Sequence, residues 1–243
     1  MQKTHSFLIL LITILGLSAC KFDGGAQKIV DQSIKFYGMD KLDGKTVTFD
    51  FREFHYTIKL NGGDYFYERS FTDSTLGKVK DQLSNHGFVR EINGLITPQT
   101  EKDSLKYAAS VNSVVYFSFL PLKLNDDATQ KKFLKTTMVN GKEYDLIEVS
   151  FQKDKGGKDH DDTYYFWFDG FDHSMDYFAY SSGGNRFRAI NGLVQSGDFF
   201  FQNYKNLVAK EGVKTPLIRY DKLFEEDKLI KLSDITLENL KVE

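Results

Sequence analysis

Five aromatic residues stand side by side at Tyr164, Tyr165, Phe166, Trp167 and Phe168, and three more at Phe199, Phe200 and Phe201. Successive side chains of a strand point to opposite faces, so a strand built from either run is apolar on both. A sheet with one face in water would instead alternate apolar and polar residues. Something must therefore cover each face. In a strongly curved sheet the inner face is filled either by helices or by a bound hydrophobic molecule.

The rest of the chain reads as strands joined by hairpins. With 22 Phe, 13 Tyr and one Trp, aromatic residues make up 15% of the sequence and favour strands. Val47, Phe49 and Phe51 alternate, then Phe54, Tyr56, Ile58 and Leu60 alternate in the opposite phase, which predicts a bulge or bend at Arg52 and Glu53. Asn61, Gly62, Gly63 and Asp64 form a hairpin signal before the returning Tyr65, Tyr67, Arg69 and Phe71. Residues 72–86 are polar and read as loop. Further strands are expected at Phe88–Ile92, Tyr144–Phe151, Tyr164–Phe168, Met175–Tyr180, Phe187–Ile190, Phe199–Tyr204 and Leu229–Leu237, with Asn191 and Gly192 as a turn. Helical spacing links Ala26, Ile29, Val30, Ser33, Ile34 and Tyr37 up to a stop at Gly38, and a second helix carries Leu105, Ala108, Asn112, Tyr116 and Phe119 to an end before Pro121. The expected class is mainly β (α+β): a strongly curved antiparallel half-barrel sheet closed by two helices.

The N-terminus carries a different signal. Lys3 and His5 precede a nearly unbroken apolar run from Phe7 to Leu17, about half the roughly 20 residues a membrane-spanning helix needs. Leu17, Ser18, Ala19 and Cys20 look like the bacterial lipobox, and Cys20 is the single cysteine of the chain. The expected organisation is a lipoprotein signal peptide at 1–19, a lipidated tether at 20–27 and one half-barrel domain at 28–243. Cys20, carrying palmitate-type acyl chains, is the expected membrane anchor, and two or more such chains hold a protein lastingly. Lys21 rather than Asp follows it, which favours the outer membrane. Loss of residues 1–19 removes Lys3 and no acid, taking the formal charge from −2 to −3 and giving no support for nucleic-acid binding. A monomer is expected.

Several segments resemble one family. Leu120, Pro121, Leu122, Lys123, Leu124, Asn125 and Asp126 are followed by Asn140, Gly141, Lys142, Glu143 and Tyr144, leading into Ile147–Phe151; Asp161, Asp162, Thr163 and Tyr164, then Asp169, then Asn191, Gly192 and Leu193 continue in order. Together these are similar to an uncharacterised group of lipoproteins common in Bacteroidetes, a domain of unknown function sometimes mislabelled as deoxyribose-phosphate aldolase. The resemblance spans roughly residues 28–240 and implies the architecture of the LolA and LolB lipoprotein carriers, with a lipid-sized apolar cavity. A chain bearing its own anchor departs from a free periplasmic shuttle, so a LolB-like acceptor or fixed binding protein fits better. The aldolase label conflicts with the strand-rich pattern, because that enzyme needs a lysine inside an α/β barrel.

Chemistry is sparse. Asp159, His160, Asp161 and Asp162 could ligate a divalent metal, but they lie in a lysine- and glycine-rich hairpin loop of the kind normally just solvated. Asp169, Asp172, His173 and Asp176 form a second acidic turn without calcium-loop spacing. No serine has a nucleophile-elbow setting and no glycine-rich segment carries a phosphate-loop lysine. No catalytic residue, metal or cofactor is expected, and the chain is read as a non-enzyme. The leading reading is a lipid or other hydrophobic ligand, such as a lipoprotein acyl chain, in a concave cavity lined by Phe49, Phe51, Tyr65, Tyr67, Tyr165 and Trp167. The alternatives are a structural, partner-binding or glycan-binding lipoprotein without a lipid ligand and, last, a hydrolase built on His160.

Overall fold

In the computed structural model, which describes residues 25–152 and 162–243, the alternating segments pair into hairpins that make two open sheets. The first is built from β1 (Thr46–Phe51), β2 (Phe54–Asn61), β3 (Asp64–Asp73), β4 (Gly77–Ser84), β5 (Gly87–Ile92) and β6 (Leu95–Ile96), with the C-terminal β14 (Glu238–Val242) added beside β1. The second runs in chain order through β7 (Thr129–Val139), β8 (Lys142–Phe151), β9 (Tyr164–Asp169), β10 (Met175–Tyr180), β11 (Arg186–Ser196), β12 (Phe199–Ala209) and β13 (Leu229–Ile235). All pairings are antiparallel and neither sheet closes into a barrel. The mainly β class expected from the sequence is the one found.

Three helices complete the body. α1 (Ala26–Phe36) buries Ala26, Ile29, Val30, Ser33 and Ile34 against β7 and the turn at 122–125. It begins two residues ahead of the boundary expected at 28. Its stop is Gly38, which adopts φ +70°. The left-handed turn lets the chain pass so close to the Asp198 carbonyl that a Cβ there would collide with backbone. Gly38→Ala should therefore cost more than about 1 kcal/mol in a urea melt, from the conformation alone. α2 (Glu101–Ser118) starts at Thr100, whose Oγ1 accepts from the Asp103 amide at 3.1 Å. α3 (Tyr220–Glu225) lies on the far side of the second sheet.

The five-aromatic run now has its explanation. Tyr164, Phe166 and Phe168 join the main core between the sheets, along with α1, α2 and the inward residues Phe49, Tyr56, Ile58 and Tyr67 of the first sheet. Trp167 faces the opposite way, into a second core with Phe187, Leu207, Tyr220 and Leu223, and Tyr165 packs at its margin. Helix α3 is thus the cover that the outer face required, and sequence periodicity did not reveal so short an element. At Phe199–Phe201, Phe201 joins the main core and meets Phe119, just past α2, at 5.6 Å between ring centroids, while the Phe200 amide donates to the carbonyl of Tyr37, just past α1, at 3.0 Å.

Other expectations change. The segment at 72–86 holds the end of β3 and the whole of β4, whose inward row runs Val79, Asp81 and Leu83 with a charge at its centre. Arg52 and Glu53 are a two-residue hairpin turn, with Arg52 at φ +58°, and not a bulge in one strand. Conversely, Asn191 and Gly192 lie inside β11, where the register against β12 slips between Ile190 and Leu193. The turn itself falls at Gly197, at φ +60°.

Candidate functional site

The space between the sheets is divided by α2. One side of this helix packs on β3, β4 and β5, and from the other Phe117 meets Phe178 at 5.7 Å and Tyr180 at 5.3 Å, between ring centroids, on the second sheet. The anchorage to the first sheet is electrostatic. Asp81 lies directly across from Arg69 on one side and Arg90 on the other, and is 0% exposed. It receives Arg69 Nη2 at 2.5 Å and Arg90 Nε at 2.6 Å. Arg69 Nη1 then donates to Ser110 Oγ of α2 at 2.8 Å, and the Arg90 guanidinium stacks 3.5 Å from the centre of the Tyr107 ring.

Two cavities remain beside the helix. The larger, about 650 Å³, is lined by Met39, Leu60, Tyr65, Tyr67 and Leu122, but its rim carries Asp40, Asp43, Asp64, Asp126 and Asp127. Lys123, 3.0 Å from Asp126, is the cation of this lining, and burial pushes the Tyr67 phenol up. The smaller, about 210 Å³, lies between α2 and the second sheet. Phe51, Val114, Phe117, Phe178, Ile235 and Leu237 give it apolar walls, Ser113, Ser118, Gln202 and Tyr204 add polar atoms, and Arg52 and Arg188 supply its charge.

The six aromatic residues expected to line one hollow are therefore distributed. Phe51 lines the smaller cavity, and Tyr65 and Tyr67 line the larger. Phe49 is wholly buried in the main core, its ring stacked 5.2 Å from Tyr56. Tyr165 and Trp167 are directed away from the inter-sheet space, because odd-numbered residues of β9 face α3. The α2 residues and Arg188 that also line the smaller cavity are not among the six. Reading the phase of β11 would have found Arg188, a charged residue on the inward face between the outward-facing Phe187 and Ala189.

The acidic segments do structural work where they are described. Asp169 is buried, which opposes its ionisation, yet Lys142 at 2.6 Å and the amides of Phe171 and Asp172 hold its carboxyl below the usual range. Tyr144 and Ser174 donate to Asp176, both at 2.8 Å. Asp162 accepts from Ser181 Oγ at 2.7 Å. Asp159, His160, Asp161 and the expected anchor Cys20 lie outside the described residues. Among the described residues no helix is long and apolar enough to cross a membrane.

No curated protein matches the sequence. Among solved structures the chain is similar to a DUF1329 family protein from Desulfovibrio piger, at TM-score 0.51 and 9% identity over 89% of this chain and 92% of that one. This likeness concerns fold alone. Looser similarity extends to a LolA superfamily protein from Nitrosomonas europaea (TM-score 0.46, 9% identity, 83% and 98% covered) and to the Mycobacterium tuberculosis lipoprotein LppX (TM-score 0.28, 10% identity, 63% and 86% covered). By sequence, the model of DUF6503, a family of unknown function, matches residues 4–238, and the chain belongs to that family.

Proposed function

We propose that this protein is a cell-envelope lipoprotein, exported by residues 1–19 and anchored in the outer membrane through acylated Cys20, whose single domain binds a hydrophobic molecule between its two sheets. The observation that carries the reading is the 210 Å³ cavity against α2, walled by Phe51, Val114, Phe117, Phe178, Ile235 and Leu237. Apolar cavities of roughly 150 Å³ accept a benzene-sized guest, so this one takes a ring or a short stretch of acyl chain. A longer tail needs α2 to shift.

A binding role also fits the fate of the buried acids, since Asp81 and Asp169 are each engaged by cations of the fold. The chain acts as a monomer in this reading. Six residue steps separate Cys20 from Ala26, at most about 20 Å when extended, which keeps α1 close to the bilayer.

Solvent extraction of the purified protein followed by mass spectrometry tests the proposal. The native chain should release an amphiphile in near-stoichiometric amount, and Val114→Trp, which fills the cavity, should release far less at unchanged fold by circular dichroism. Equal yields from the two proteins, or none from either, would contradict it.

A second reading, docking of a protein partner, is favoured by the edge of the first sheet. Leu95 and Ile96 on β6, the edge strand, are adjacent and each 72% exposed. Leu95→Ser with Ile96→Ser would abolish a partner complex in cross-linking and leave the extracted amphiphile unchanged.

A further inference from the structure

Arg69 and Arg90 are buried and Arg188 is half-buried, and they are treated differently. Arg69 and Arg90 share the carboxylate of Asp81. Among the described residues Arg188 has no carboxylate partner. It sits in a row that crosses the second sheet through Ile147, Phe166, Phe178, Arg188 and Asn206, so its neighbour on one side is a phenylalanine ring. Its Nη2 donates to the Tyr180 hydroxyl at 2.6 Å. Its Nη1 is shut off from solvent and has no hydrogen-bond partner.

An unpaired cation inside a protein is expensive, and burial pushes this guanidinium below its ordinary range. The cavity offers nothing to offset that. No acid lines it. Its other polar side chains are largely spent within the fold: Gln202 Nε2 donates to the Met175 carbonyl at 3.0 Å, the Tyr204 hydroxyl donates to Gln202 Oε1, and Ser113 Oγ donates to the Ser110 carbonyl at 3.1 Å. What stays unmet is Nη1, one donor nitrogen of a guanidinium whose side chain lines the cavity beside Phe178, Phe117 and Ile235, and a carboxylate is the acceptor that suits it. Arg52, on the exposed β1–β2 turn, adds a second positive charge to the same lining.

We infer that the smaller cavity recognises an amphiphilic anion of the fatty-acid type, whose carboxylate is taken by the Arg188 guanidinium, which turns to bring Nη1 to the cavity, while its apolar end lies against Phe51, Val114, Phe117 and Ile235. This deepens the proposed hydrophobic binding role and rests on it. The competing account is a water joining Nη1 to Asn206 Oδ1, the next group in the row, which also lacks a partner. In that case Arg188 is structural.

The experiment compares octanoate with octan-1-ol, which share a chain and differ in charge, by titration calorimetry on the full lipid-anchored protein in nanodiscs, with empty nanodiscs subtracted. Octanoate should bind at least tenfold more tightly than octan-1-ol. Arg188→Met should erase that preference by lowering octanoate affinity to that of octan-1-ol, and should melt no lower than the native chain because it removes an uncompensated charge. Arg188→Lys, which keeps the charge, should retain part of the preference. Equal affinity for the two probes overturns the anion assignment and leaves the hydrophobic reading standing, whereas binding of neither overturns both. A melting temperature several degrees lower in Arg188→Met, with the octanoate preference intact, assigns Arg188 to the fold and overturns the inference.

Discussion

Asp81→Ala should destabilise the protein by about 3–5 kcal/mol, the loss expected when one partner of a buried ion pair is removed. Without the carboxylate, two guanidiniums, each 6% exposed, face each other across β4 with no counter-charge. The loss is a large fraction of the 5–15 kcal/mol that holds a typical domain. It should also reach the cavities beside α2, because Arg69 and Arg90 tie Ser110 and Tyr107 of α2 to the first sheet. The measurement is the urea midpoint of Asp81→Ala, with the triple variant Arg69→Met, Asp81→Leu, Arg90→Met as control. Replacing all three charges with apolar groups should recover most of the loss. A single variant within about 1 kcal/mol of the native chain would mean that water reaches the cluster and that α2 is held by other contacts.

Trp167→Ala carries the second large effect, about 3–5 kcal/mol for emptying a fully buried indole site. The ring contacts Phe187 at 5.6 Å under α3 and lies on the sheet face that the two cavities beside α2 do not touch. Stability should fall, and affinity for octan-1-ol in the folded fraction should not. Trp167→Phe should cost much less, since the indole Nε1 has no hydrogen-bond partner to lose. A binding defect in Trp167→Phe at full stability would restore Trp167 to the cavity lining and contradict the placement.

Much of the architecture is legible in the sequence, and the exceptions have causes. The Asn61–Asp64 hairpin and the Gly38 stop are written in residues whose backbone conformations few others adopt: Gly62, Gly63 and Gly38 all have positive φ. β4 is hidden because a hydropathy pattern counts Asp81 as a surface residue, and only its two arginines, twelve residues before and nine after, make it a core one. β7 is hidden for the opposite reason: as an edge strand, with Lys131, Lys132 and Lys135 along it, it buries little. The doubly apolar run at 164–168 correctly demands two covers. It does not say which cover leaves room for a guest, so Tyr165 and Trp167 were expected beside the ligand although α3 packs over them. Arg188 escapes a search for clusters of chemical groups, because its significance lies in standing alone among aromatic neighbours.

The claim on which the rest depends is that an apolar molecule occupies the space between α2 and the second sheet. Photo-cross-linking with a diazirine-bearing fatty acid, followed by peptide mapping, locates the occupant directly. Label on the α2 segment at 113–118 and on the strands carrying Phe178 and Tyr204, lost in Val114→Trp, is the predicted result. Label confined to the exposed Leu95 and Ile96 edge, or unchanged when Val114→Trp fills the cavity, would contradict it.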